Sequence, residues 1–166
     1  IFFFFLNWTD HQSLGCMKRY PFIIKDIERW DDDSEFEGMV KGSIGRMEIN
    51  ARYVLSPTEL AKYPVGSVEE VLLEIEISGN NMEVVDEEER FLEPGDGHHY
   101  TIQGKVIDMN DHSMLVRSSI DMAVAIAEFP PVTETGQEIE VGDMIWVYGE
   151  MNIVFDPDKY ENTFWE

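Results

Sequence analysis

The chain has 166 residues, of which 43% are hydrophobic, and a formal net charge of −22. This is enough apolar material for the core of one domain, so a fully disordered chain is excluded. No apolar run reaches the ~20 residues of a membrane-spanning helix, and the charge argues against binding to a nucleic-acid phosphate backbone. A single cysteine excludes an internal disulfide framework and a metal site built from several cysteines.

The first residues read differently from the rest. The apolar run Ile1–Leu6 is followed by patternless polar residues, and at Met17 the sequence looks like an ordinary protein start. We interpret residues 1–16 as a leader that is non-native or disordered, and residues 17–166 as one β-rich domain in the cytoplasm. Two alternatives stay open: a first strand packed into the domain, and an exported lipoprotein with a lipid on Cys16.

Alternation of apolar and polar residues with period two predicts strands in four stretches. These are residues 46–55, 71–77, 114–126 and 139–155. The third stretch is longer than the ~5–6 residues of an ordinary strand, so we expect a bend or a bulge within it.

One short helix is predicted after the first of these strands. Ser56, Pro57 and Glu59 have the spacing of a capping box, with Ser56 as the N-cap and Glu59 bonding back to it. The helix should end where Pro64 follows. Together these elements predict a mainly β single domain, either a small closed barrel or a sandwich, with one short helix near residues 57–63.

A weak internal repeat relates two strand-forming stretches. The matching residues are Val65, Gly66, Val71, Glu74, Ile75 and Ile77 in the first and, at the same offsets, Val141, Gly142, Val147, Glu150, Met151 and Ile153 in the second. A glycine turn that leads into an alternating strand produces such matches by itself, so the sequence alone does not establish a duplication.

The stretch 100–155 contains glycines in places typical of small barrels. Gly104 lies inside a predicted strand, and Val141–Gly149 has the pattern hydrophobic-Gly-Asp-x-hydrophobic-x-Val-x-Gly. In these features the stretch resembles OB-type barrels, which use glycines at tight corners. The resemblance implies an architecture and no activity. The oligonucleotide binding that is usual on such barrels conflicts with the charge.

Negative charge is concentrated in the later part of the chain. Residues 1–62 hold 8 Lys and Arg against 10 Asp and Glu, whereas residues 63–166 hold 4 against 24. Acidic surfaces speed and orient association with positively charged proteins. Since the chain has no nucleophile, cofactor or metal motif, we expect a non-enzymatic protein that binds a basic protein partner, as immunity proteins and nucleic-acid mimics do, without a cofactor. The alternatives are a metal- or carboxylate-dependent hydrolase and a small-ligand-binding β-barrel.

Candidate binding residues lie in the last predicted strand. If Ile145 and Val147 face the interior, period two places Trp146, Tyr148 and Glu150 on the opposite face. An aromatic pair beside a carboxylate suits a partner that offers Lys or Arg. The alternative is that another segment packs over both rings.

Candidate metal ligands are the histidines His98, His99 and His112. The strand predicted over Tyr100–Met109 separates the first two from the third by roughly 30 Å at ~3.3 Å per residue, so the three could not hold one ion. The alternative is that they are solvated loop histidines.

Overall fold

The computed structural model describes residues 18–30 and 36–158, so the predicted leader 1–16, with Cys16, lies outside the described residues. The elements are β1 (Tyr20–Arg29), β2 (Glu37–Ile44), β3 (Met47–Val54), α1 (Pro57–Leu60), β4 (Val68–Val85), β5 (Phe91–Pro94), β6 (His99–Met109), β7 (Ser113–Arg117), β8 (Asp121–Ala125) and β9 (Met144–Val154). The nine strands belong to one sheet that closes on itself, which confirms the predicted mainly β barrel or sandwich. None of the helical segments in these two ranges is long and apolar enough to cross a membrane.

The sheet closes twice around two shared strands. In the first ring, β1, β2 and β3 pair in sequence, β3 pairs with β9, β9 with β4, and β4 with β1. In the second ring, β6, β7 and β8 pair in sequence, β8 pairs with β4, β4 with β9, and β9 with β6. The strands β4 and β9 therefore belong to both rings, and β5 adds to β6. Closure leaves few free sheet edges, which protects the backbone from unwanted strand pairing.

The two halves of the chain repeat the same connections in detail. The strands β1 and β6 carry a bulge at equivalent places, between Ile24 and Asp26 and between Val106 and Asp108. Each bulge aspartate accepts a hydrogen bond on Oδ1 from the backbone N–H of the following residue, at 3.0 and 2.9 Å. A bulge stabilised in the same way in both halves is a feature of one repeated unit.

The glycine turns of the sequence repeat are also equivalent in structure. The N–H of Gly66 donates to the carbonyl of Ile24, and the N–H of Gly142 donates to the carbonyl of Val106, both at 2.7 Å. Both glycines have a positive φ, 96° and 102°. The weak repeat in the sequence therefore corresponds to a repeat in the fold.

A pseudo-two-fold axis relates the two halves and passes through the β4–β9 pair. Ile75 lies opposite Met151 in this antiparallel pair, and the same two residues are matched by the sequence repeat. A residue lies opposite its own equivalent only at a two-fold axis. Each half thus supplies three strands to its own ring and a fourth strand to both rings, so neither half closes a ring alone.

Two local predictions need correction. The stretch 114–126 is not one bent strand but a hairpin, because the chain reverses between β7 and β8 at Ser118, whose Oγ donates to the carbonyl of Ile120 at 3.0 Å. The capping box of Ser56 and Glu59 is confirmed, with both reciprocal hydrogen bonds present. However, the helix ends at Leu60, earlier than predicted, and residues 61–62 form a turn.

We expect Gly66→Ala and Gly142→Ala to destabilise the protein by similar amounts. An added Cβ meets no atom within 4 Å at either position, so the cost comes from the left-handed backbone alone and should be about 1–2 kcal/mol. The free energy of unfolding, measured by urea denaturation, checks this.

The adjacent exposed valines provide matched controls for this measurement. Val65 and Val141 are 57% and 56% exposed, so Val65→Ala and Val141→Ala should stay within about 0.5 kcal/mol of the wild type. A glycine variant as stable as its neighbouring valine variant would contradict the prediction.

Candidate functional site

The outer face of β9 carries the predicted binding residues. Side chains along this strand alternate, with Ile145 and Val147 fully buried and Trp146, Tyr148 and Glu150 half-buried. The alternation arises because both rings use the same face of β9 as their interior, so the other face stays on the outside along the whole strand.

Four rings form a continuous row beside this strand. Trp30 lies 5.5 Å from His98, His98 lies 5.0 Å from His99, and His99 stacks on Tyr148 at 5.7 Å with an interplanar angle of 18°, all measured between ring centroids. We name Trp30, His98, His99, Tyr148 and Glu150 the His–Tyr face. The strand pairing of β6 with β9 creates this face, because it brings Thr101 opposite Tyr148 and His99 opposite Glu150.

Glu150 links the row to the acidic surface. Its Oε1 lies 2.8 Å from Nε2 of His98, whose side chain is only 12% exposed. On its other side Glu150 lies opposite Glu76 of β4. The His–Tyr face therefore combines stacked rings with carboxylates, which is a suitable arrangement for a cationic group.

Trp146 belongs to a different environment. It lies opposite Gln103 on β6 and opposite Glu83 on β4. It also lines a cavity of about 180 Å³ together with polar residues such as Thr133 and Gln137. Trp146 and Tyr148 thus share a strand face but lie in different surroundings.

The structure brings two of the three candidate histidines together. His98 and His99 are in contact, whereas His112 follows the far end of β6, where its backbone N–H donates to Asn110 Oδ1 at 2.8 Å. Within residues 18–30 and 36–158, no group of three or more His, Cys, Asp or Glu side chains is placed to hold a metal ion.

A larger cavity, which the sequence did not indicate, opens where β3 meets β9. This first groove has a volume of about 640 Å³. It is lined by Arg52, Val54, Leu55, Glu59, Lys62, Tyr63, Glu74, Glu76, Ala125, Asn152, Ile153, Val154, Phe155 and Asp156. The groove forms because β3 and β9 pair in parallel through one residue pair only, Arg52 and Asn152, and then diverge. No local pattern in the sequence reports such a divergence.

The first groove has an aromatic wall and charged surroundings. Tyr63 stacks on Phe155, with 4.7 Å between centroids and 19° between planes. The Arg52 guanidinium binds Glu37 at 2.8 Å and Asn152 Oδ1 at 3.4 Å. Burial raises the pKa of the Tyr63 hydroxyl above its ordinary value, and the negative charge of Asp156 raises it further, followed by smaller contributions from Glu69 and Glu59.

The pseudo-two-fold axis places a second groove of about 470 Å³ in the other ring. The equivalent residues, with the first groove named before the second, are Arg52 and Ala125, Val54 and Ala127, Leu55 and Glu128, Asn152 and Glu76, Ile153 and Ile77, Phe155 and Gly79, and Asp156 and Asn80. The two grooves share a position in the fold but differ in chemistry.

Comparison of the chain with protein-family models, with curated proteins and with solved structures found no match. The structure itself offers two candidate sites. These are the His–Tyr face on the outside of β9 and the first groove between β3 and β9.

We expect Tyr63 to ionise at a higher pH than the ordinary value of 10.0. Burial and nearby carboxylates both favour the neutral phenol. The difference between the phenolate absorbance titrations of the wild type and of Tyr63→Phe isolates this residue. Asp156→Asn should lower the midpoint, since it removes one of the negative charges. A difference titration with its midpoint at or below 10.0 would contradict this expectation.

Proposed function

We propose that this chain is a non-enzymatic binding protein that engages a basic protein partner through the His–Tyr face. The observation that carries the proposal is the stack of His99 on Tyr148 next to Glu150, which itself lies opposite Glu76. Rings next to carboxylates provide cation–π and ion-pair contacts for the same Lys or Arg side chain. Such a contact is worth only ~0.5–2 kcal/mol, so several must act together.

The charge distribution supports this choice of partner. Residues 63–166 hold 24 acidic and 4 basic side chains, and these residues include all of β4 and β9. A surface of one sign attracts a partner of the opposite sign over roughly a Debye length, ~8 Å at physiological salt. Electrostatic attraction would then act mainly on the association rate, while the rings of the His–Tyr face would contribute to the lifetime of the complex.

The OB-like classification belongs to the same proposal. Five-stranded closed rings with glycines at close backbone contacts support it, for instance Gly104, where an added Cβ would lie 2.4 Å from the Arg117 carbonyl oxygen. An OB-type barrel that binds a basic protein would use its acidic surface in place of the basic face that such barrels offer to oligonucleotides.

We expect immobilised protein to capture a basic partner from an extract of the source organism at low salt and to release it at high salt. Tyr148→Ala should reduce capture about fivefold or more because the partner's cationic group loses the ring. The amount of partner retained, quantified by mass spectrometry, is the measurement. Glu150→Gln should also reduce capture, because the partner's cationic group loses a carboxylate. The glutamine side chain remains beside His98 as a neutral neighbour.

The control for Glu150→Gln is Glu138→Gln. Glu138 is exposed and lies outside the named strands, where its backbone forms an isolated bridge with Val132. The variant Glu138→Gln removes one negative charge, as Glu150→Gln does, but from a residue that is not part of the His–Tyr face. Capture of the partner should therefore stay unchanged. If both variants lost capture equally, the effect of Glu150→Gln would be due to net charge alone and not to its place in the His–Tyr face. Failure to capture any basic protein at low salt would contradict the proposal.

A further inference from the structure

The first groove has the volume of a small-molecule site. Its volume of about 640 Å³ falls in the ~300–1,000 Å³ range of ligand pockets. Its aromatic wall is held in place from behind, because Phe155 is 6% exposed and packs edge-to-face on the buried Phe22 at 6.4 Å. Tyr63 covers the other side of Phe155. A wall supported in this way is preorganised, so a ligand need not order it on binding.

The charges of the first groove favour a cation. Its lining contains the acidic residues Glu59, Glu74, Glu76 and Asp156 and the basic residues Arg52 and Lys62. The charge of Arg52 is already matched by Glu37, at 2.8 Å. Four acidic side chains thus line the groove beside two basic ones, and one of the four, Glu76, also lines the second groove. Burial is the main cause of the raised pKa of the Tyr63 hydroxyl, and the negative charge of Asp156 raises that pKa further, so Asp156 acts on the aromatic wall of the groove.

The second groove provides a comparison within the same chain. Both grooves form because of the ring architecture. The presence of a groove is therefore no evidence of ligand binding, and only the side chains that line it can indicate a function. The chemistry, however, differs at equivalent positions: Gly79 corresponds to Phe155, and Asn80 to Asp156. The aromatic wall and the nearby carboxylate are thus absent from the equivalent positions of the second groove and are not required to build a ring.

We propose that the first groove is a binding site for a small organic amine with an apolar body. The ammonium group lies beside Asp156, and the apolar body lies along Tyr63 and Ile153, all three of which line the groove. A charged hydrogen bond to the ammonium group and burial of the apolar body then act together. This inference does not rest on the basic-partner proposal, because the ligand contacts no residue of the His–Tyr face; the carboxylate of Glu76, opposite Glu150, lies between the two sites.

The test uses four probes of similar size with the full-length protein. Calorimetric titration with phenethylamine and with 1,6-diaminohexane measures amine binding, while phenethyl alcohol and 3-phenylpropionate replace the cation by a neutral and an anionic group. We expect both amines to bind, the alcohol to bind at least about tenfold more weakly because it lacks the charge, and the carboxylate not to bind. Alcohol binding as tight as amine binding, or no binding of either amine, would overturn the proposal.

Variants of the two grooves locate the binding. Asp156→Asn and Tyr63→Leu should each weaken phenethylamine binding by roughly five- to tenfold, through the lost charge and the lost ring. Two variants of the second groove should leave it unchanged: Asn80→Ala, at the position equivalent to Asp156, and Glu128→Gln, at the position equivalent to Leu55. Unaltered circular dichroism and urea midpoints establish that each variant is folded. Binding that persists in both first-groove variants, or that falls in the second-groove variants, would refute the assignment.

A final arm distinguishes a free amine from the lysine of a partner protein. A short lysine-containing peptide with blocked termini is titrated beside phenethylamine. A small-molecule site should bind phenethylamine at least as tightly as the peptide. Tighter binding of the peptide, lost in Asp156→Asn, would assign the groove to a protein partner and overturn the small-molecule assignment.

Discussion

The antiparallel pairing of β4 with β9 is the constraint on which the rest of the structure depends. Each strand is long enough to belong to both rings, and each ring closes only through this pair. The register is fixed by burial, because a slip of one residue would expose Ile75 and Met151 and bury Glu76 and Glu150. Close contact also fixes it, since a Cβ on Gly149 would lie 2.3 Å from the carbonyl oxygen of Glu76. A break in register between Ile77 and Met82 adjusts β4 as it passes from one ring to the other.

Both candidate sites follow from this shared pair. The part of β9 that pairs with β6 presents Tyr148 and Glu150 beside His99, and the part that reaches β3 forms one side of the first groove. A single strand therefore supplies residues to two sites with different environments, one an open face and the other a cavity. Because Glu150 and Asn152 are neighbours on the outer face of β9, the two sites lie close together along that strand.

Comparison of the two halves distinguishes residues that shape the backbone of each ring from residues that determine the chemical properties of the grooves. The bulge aspartates Asp26 and Asp108 and the turn glycines Gly66 and Gly142 make the same backbone hydrogen bonds in both halves. These positions shape bulges and turns that any ring of this type requires. Among the equivalent side chains of the grooves only Ile77 and Ile153 are identical, and the others differ in size or charge. The frame thus allows the grooves to differ without loss of the fold.

The sequence by itself determined the local features of this protein. Period two in β9 separated Trp146 and Tyr148 from Ile145, and the spacing of Ser56 and Glu59 located the helix start, because both depend on residues near each other in the chain. The sequence also matched the turn glycines Gly66 and Gly142 in a weak repeat, although the sequence alone could not show that the two turns are structurally equivalent. The same reasoning missed the hairpin within 114–126, since alternation continues across a tight turn when both strands bury the same face.

Only the tertiary structure decided which strands are neighbours. The stacking of His99 on Tyr148 depends on the pairing of β6 with β9, and the first groove depends on a parallel contact between Arg52 and Asn152, which are far apart in the chain. Many strand orders are compatible with the same alternating pattern. The order is selected by closure of both rings around one buried pair, which is a property of long-range packing and leaves no local signal in the sequence.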